Sequence, residues 1–112
     1  MYLNEGRNAA GEQIVPAEWV LASITPDGAH VQPGRETVGG LPVWGYGYQW
    51  WIPGARSGND YTGIGIYGQF IYINPERKVV IAKTSAYTDY NNTGEEMEAE
   101  SIAAFQAIAN RL

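Results

Sequence analysis

Four serines, Ser23, Ser57, Ser85 and Ser101, are the side chains best suited to attack a carbonyl, and none has a lysine three residues on to take up its proton. The chain has no cysteine, which removes thiolate nucleophiles, disulfides and cysteine-based zinc sites together. His30 is the single histidine, cannot build a histidine cluster, and after Pro26-Asp27-Gly28 reads as a solvated loop residue. Carboxylates are densest at Glu95, Glu96, Glu98 and Glu100. They fall in the first turns of a helical pattern, where the helix dipole favours negative charge, so they read as a helix start rather than a cation site. Asp89, Asn91 and Asn92 lack the spacing of a calcium-binding loop. The expectation is a chain with no metal and no cofactor.

The elements that must position any chemistry belong to one domain, residues 1–112. Apolar residues make up 45% and charged residues 17%, which places the chain among ordered, aromatic-rich globular proteins. The net charge of −5 comes with no basic stripe to neutralise phosphates, so nucleic acid is excluded as an expected partner. No apolar stretch approaches the length of a membrane span, and residues 1–8 carry no basic segment followed by an apolar run. A cytoplasmic location, away from membranes, is expected.

Pro16 to about Thr25 is patterned as a helix, with Pro16 suited to its first turn and Trp19, Val20 and Ile24 forming an apolar stripe. Glycine and proline recur without period from Ala29 to Val43, which predicts a long surface loop. Tyr46 to Ile52 is an aromatic run bounded by glycines and Pro53, the first predicted strand. Ile64 to Ile73 predicts a longer strand, with Ile64, Ile66, Phe70 and Tyr72 on one face and Tyr67, Ile71 and Ile73 on the other. Asn74-Pro75-Glu76-Arg77 has proline at the second turn position and leads into Lys78 to Thr84, so these two strands read as an antiparallel hairpin. Thr93 and Glu96 match a capping box, and Met97, Ile102, Phe105, Ile108, Ala109 and Leu112 share one side of a terminal helix. The expected fold is α+β: a three-stranded antiparallel sheet, a C-terminal helix packed on it and an N-terminal helical segment. A long strand that is apolar on both faces needs cover on both, and this pattern offers cover for one.

Three segments carry a family likeness: Gly45-Tyr46-Gly47-Tyr48-Gln49-Trp50-Trp51, Tyr61 to Pro75, and Val79-Val80-Ile81-Ala82-Lys83-Thr84-Ser85. They resemble the C-terminal portion of serine hydrolases related to class C β-lactamases, penicillin-binding proteins and 6-aminohexanoate-oligomer hydrolases. Leu3 to Arg7 and Gln13 to Val20 are similar to the segment upstream of these strands, so the likeness covers almost the whole chain. It implies a partial β-lactamase-like fold. It also implies acyl transfer to a serine in an S-x-x-K motif, with backbone N–H groups forming an oxyanion hole. By that similarity the Ile66 N–H would be a vestigial oxyanion donor. Gly65 would let a substrate backbone approach, and Tyr67, Gln69 and Trp50 would line the binding region.

The chain departs from the family at its nucleophile, because the S-x-x-K motif is absent. Lys83-Thr84-Ser85 imitates K-T-G but lacks the glycine, and the strings Tyr2-Leu3-Asn4 and Tyr90-Asn91-Asn92 carry no expected catalytic role. Two readings follow. The chain is a truncated serine hydrolase, inactive alone and completed by missing N-terminal polypeptide, with an amide or ester as its small-molecule ligand; or it is a non-catalytic module that hides its uncovered sheet in a homodimer.

Overall fold

Where the sequence pattern reads two long strands, the chain reverses in the middle of each. The computed structural model describes residues 1–89 and 94–112, so Thr93 of the capping box, the Tyr90-Asn91-Asn92 string and the side chains of Glu95 and Glu96 lie outside the described residues. Helix α1 (Ala17–Ser23) is followed by strands β1 (Thr37–Val38), β2 (Leu41–Pro42), β3 (Gly45–Tyr46), β4 (Trp51–Ile52), β5 (Tyr61–Gly65), β6 (Gln69–Asn74) and β7 (Val79–Lys83), then helix α2 (Gly94–Arg111). Strands β3 to β7 form a five-stranded antiparallel sheet in chain order, and β1 and β2 form a separate two-stranded one.

The expected three-stranded sheet is therefore corrected, although the α+β class stands. The Tyr46–Ile52 run is the hairpin β3–β4, with Tyr46 opposite Trp51, Gln49 at φ 63° and the Gly47 N–H donating to the Trp50 carbonyl at 2.8 Å. The Ile64–Ile73 run is the hairpin β5–β6, with Gly65 opposite Gln69 and Tyr67 and Gly68 at φ 60° and 79° in between. Gln49 and Tyr67 take the left-handed region at a cost of about 1 kcal/mol or more each. A pattern of apolar and aromatic side chains carries no mark of such a turn. The 29–43 stretch also holds more order than expected: a 3-10 helix at Ala29–Val31 and the β1–β2 hairpin, which turns on Gly39 and Gly40. The hairpin predicted around Asn74-Pro75-Glu76-Arg77 is present, with Asn74 opposite Val79.

Alternation along the strands makes two faces. On one, Phe70, Tyr72 and Val79 are buried with Ile102, Phe105 and Ala109 of α2, and Trp44, Ile64 and Ile81 pack against them. On the other, Ile52, Tyr61 and Ile73 are buried, and Tyr2, Leu3, Ile24 and Trp50 pack against that group. The N-terminal residues thus cover one end of the second face, through ring contacts such as Tyr2 to Trp50 at 4.9 Å. Its other end is open: Ile71 and Val80 are each 51% exposed.

A buried polar network ties the 55–60 turn to both sheet and helix. Asp60 is fully buried and accepts hydrogen bonds from the Ser57 N–H at 3.0 Å, Tyr72 Oη at 3.0 Å and Gln106 Nε2 at 2.8 Å. Asn74 Nδ2 donates to the Ser57 carbonyl at 2.9 Å and to Tyr72 Oη at 3.2 Å. Burial pushes the Tyr72 phenol up to about 12, against the Asn74 hydrogen bond and helped by the Asp60 charge; burial, then Tyr2, pushes Tyr61 up to about 12 as well. A phenol whose pKa is raised on folding contributes stability that is present below its unfolded value near 10 and lost as pH climbs through 12. Urea midpoints are thus expected to be insensitive to these two residues up to about pH 10 and to fall between about pH 10 and 12. Absorbance at 295 nm should show these two phenols ionising only near pH 12 in the folded chain; their ionising near pH 10 would contradict this.

Candidate functional site

Of the residues singled out by the family likeness, Gly65, Ile66, Tyr67 and Gln69 gather where β5 ends, whereas Trp50 lies by Tyr61 and Gly63. Strand β4 meets β5 at a single register position, Trp51 opposite Thr62, whereas β6 runs along β5 from Tyr61 to Gly65. Beyond Thr62, then, the side of β5 that faces away from β6 is not laddered to β4. Gly63 sits there with the Trp50 ring nearby, 3.8 Å from where a Cβ would stand. Trp50 is half-buried and packs its edge on Tyr61, with centroids 5.1 Å apart, so the ring serves as sheet cover and borders the open stretch.

Ile66 and Tyr67 lie in the β5–β6 turn, not on a continuing strand, and both are exposed, at 63% and 41%. Gly65 stands opposite Gln69, and a Cβ on it would come within 3.1 Å of the Gln69 Cβ. The Gln69 side chain clamps the turn: its Nε2 donates to the carbonyls of Tyr67 (3.1 Å) and Ser85 (2.6 Å), and its Oε1 accepts from the Ser85 N–H at 3.2 Å. The Tyr87 ring lies over Gly68, where any Cβ would overlap it. Gly68→Ala adds that overlap to a positive φ, so it should lower stability by more than about 1 kcal/mol, read as an earlier urea midpoint; an unchanged midpoint would show that the turn is not pinned by Tyr87.

A second polar group lies on the α2 face. Lys83, at the end of β7, donates from Nζ to Tyr87 Oη at 2.6 Å and to Ser101 Oγ at 3.0 Å. Nζ also stands 5.1 Å from the Phe70 ring centroid. Lys83 and Tyr87 stand four residues apart with no helix or strand spanning both, and Ser101 joins them only through the docking of α2, so no motif in the sequence marks the group. The available signal was Ser101 itself, a hydroxyl beside Ile102 on the helix stripe that the sheet buries, which must find a partner.

Comparison with known proteins places these features in context. No family model matches the chain. It is 31% identical over 85 residues to a curated 6-aminohexanoate-dimer hydrolase of Paenarthrobacter ureafaciens, covering 76% of this chain and 21% of that protein. A solved structure from Bacillus anthracis, provisionally named a 6-aminohexanoate-dimer hydrolase, superposes on 98% of this chain with a TM-score of 0.64 and 28% identity, covering 26% of its own length. Both findings support a β-lactamase-like serine hydrolase family. The chain spans about a fifth to a quarter of the length of these two proteins, so it matches a fragment of the fold. Within that fragment the four serines of this chain have different partners: Ser23 is buried with Oγ bonded to the Val20 carbonyl, the Ser57 N–H donates to Asp60, the Ser85 N–H donates to Gln69, and Ser101 Oγ accepts from Lys83.

Proposed function

We infer that the chain is a piece of a 6-aminohexanoate-dimer hydrolase-like enzyme that supplies a substrate-facing edge, and that it does not hydrolyse amides or esters by itself. The observation that carries this reading is the unladdered end of β5. Among the described residues no strand competes there, so Gly63 to Ile66 offers main-chain groups to an extended amide, while Gly63 and Gly65 keep side chains out of the way. In this role the Ile66 N–H is the oxyanion donor, Gly65 admits the substrate backbone, and Tyr67, Gln69 and Trp50 shape the approach. The donor alone does no acyl transfer, since a tetrahedral intermediate must first be formed by a nucleophile, and no serine here has the partnering lysine of S-x-x-K.

The edge is tested by titrating the isotope-labelled chain with a linear amide of 6-aminohexanoate and following its amide resonances. Shifts concentrated on residues 63–69 are expected; shifts elsewhere, or none at millimolar amide, would contradict the assignment.

The second reading is a self-associating module. It is favoured by the open end of the second sheet face, where Ile71 and Val80 stand exposed, and by β7 as the last strand of the sheet. Light scattering separates it from the first: a stable dimer that Val80→Lys converts to a monomer supports the module, and a monomer at every concentration removes it.

A further inference from the structure

The Lys83 group brings three nucleophilic atoms, an amine, a phenol and an alcohol, within hydrogen-bond reach of one another. Which of them meets an electrophile from solvent depends on access and on a free electron pair. Ser101 is 8% exposed and lies inside α2, so its Oγ is shielded. Lys83 Nζ donates to both oxygens and is packed over the Phe70 and Tyr87 rings, at 5.1 and 4.9 Å from their centroids. Tyr87 is half-buried, and its position is fixed: the ring covers Gly68 and its N–H donates to the Tyr67 carbonyl at 3.4 Å. The Lys83 hydrogen bond holds its phenol below the ordinary value against the opposing effect of partial burial, with hydrogen bonds involving Ser101 and Ser85 and the Lys83 charge acting the same way as that bond.

We propose that Tyr87 is a covalent acceptor site, at which the phenol oxygen held by Lys83 takes the acyl or sulfonyl group of an activated aryl ester or arylsulfonyl fluoride. With an aryl ester, Oη forms a bond to the carbonyl carbon and the aryloxide leaves with the electron pair of the broken C–O bond. The phenol proton passes to solvent as the new bond forms. With a sulfonyl fluoride, Oη bonds to sulfur and fluoride leaves. The product is a neutral tyrosyl ester or sulfonate, so Lys83 loses the phenol oxygen as a hydrogen-bond partner and keeps Ser101. The site is independent of the serine-hydrolase chemistry proposed above and is told apart from it by the residue that carries the adduct.

The experiment treats the intact chain with 4-nitrophenyl acetate or an arylsulfonyl fluoride, follows intact mass, and maps the adduct by peptide sequencing. Tyr48 and Tyr67 are exposed at 51% and 41%, so a reaction governed by access alone would label them first. The expected result is a first adduct on Tyr87, formed at least about tenfold faster than on either, abolished in Tyr87→Phe and slowed about tenfold in Lys83→Met. Ser101→Ala, which leaves the Lys83–Tyr87 contact in place, should retain the labelling of Tyr87. Should Lys83→Met fail to fold, the order of labelling in the unsubstituted chain still decides. Labelling spread over the exposed tyrosines, a rate indifferent to Lys83→Met in the folded variant, or a first adduct on Lys83 or Ser101 would overturn the proposal.

Discussion

Phe105→Ala is expected to remove about 3–5 kcal/mol of stability, enough to leave the chain largely unfolded at room temperature. Phe105 is 5% exposed and is the residue through which α2 grips the sheet. Its ring meets Phe70 edge-on with centroids 5.6 Å apart and Tyr72 at 5.5 Å, so truncation loses the transfer energy of a buried aromatic, two ring contacts and the packing of the cavity left behind. Domains of this length have little stability to spare. Ile108→Ala on the same helix should cost less than about 1 kcal/mol, because Ile108 is 47% exposed although the apolar pattern groups it with Phe105. Near-ultraviolet circular dichroism and urea unfolding check both; similar small losses for the two variants would mean that α2 does not dock through Phe105.

Asp60→Ala should cost about 3 kcal/mol or more. Alanine strands the Tyr72 hydroxyl and the Ser57 N–H, removes one of the two acceptors of Gln106 Nε2, which keeps the Ala55 carbonyl at 2.9 Å, and takes the carboxylate away from Arg56, whose Nε stands 3.9 Å from it. Each buried donor left unmet carries its own desolvation cost of about 1–3 kcal/mol. Asp60→Asn keeps one acceptor oxygen and the side-chain shape, so it should lose clearly less, and Tyr72→Phe, which deletes one member, about 1–2 kcal/mol. The ordering Ala, then Asn, then Phe in urea midpoints is the expected result. Equal losses for all three would show that the carboxylate is not the centre of the network.

What the sequence made legible were features written in local chemistry. Pro16 marks the start of α1, Asn74-Pro75 the β6–β7 turn, and the spacing of Ile102, Phe105 and Ala109 the buried stripe of α2. What it hid were features that depend on residues far apart or on backbone conformations their side chains do not favour. Gln49 and Tyr67 in left-handed turns split two aromatic runs into hairpins and raise three strands to five. Ile66 and Tyr67 consequently leave the strand and enter a turn, which changes how the candidate edge is presented. Tyr2 and Leu3 carry no periodic pattern to announce them as cover for the second sheet face, yet they pack on it. Asp60 and Lys83 gather partners from three elements each, and no spacing in the sequence announces either group.

The proposed function, that of a serine-hydrolase fragment without its own nucleophile, is tested most directly by incubating the purified chain with a chromogenic ester and a chromogenic cephalosporin while intact mass is followed for a covalent adduct. The account predicts no catalytic turnover and no adduct on Ser23, Ser57, Ser85 or Ser101, with any slow stoichiometric acylation confined to Tyr87. Sustained turnover with an acyl group mapped to one of the four serines would contradict it, and the nucleophile would then be the serine so identified.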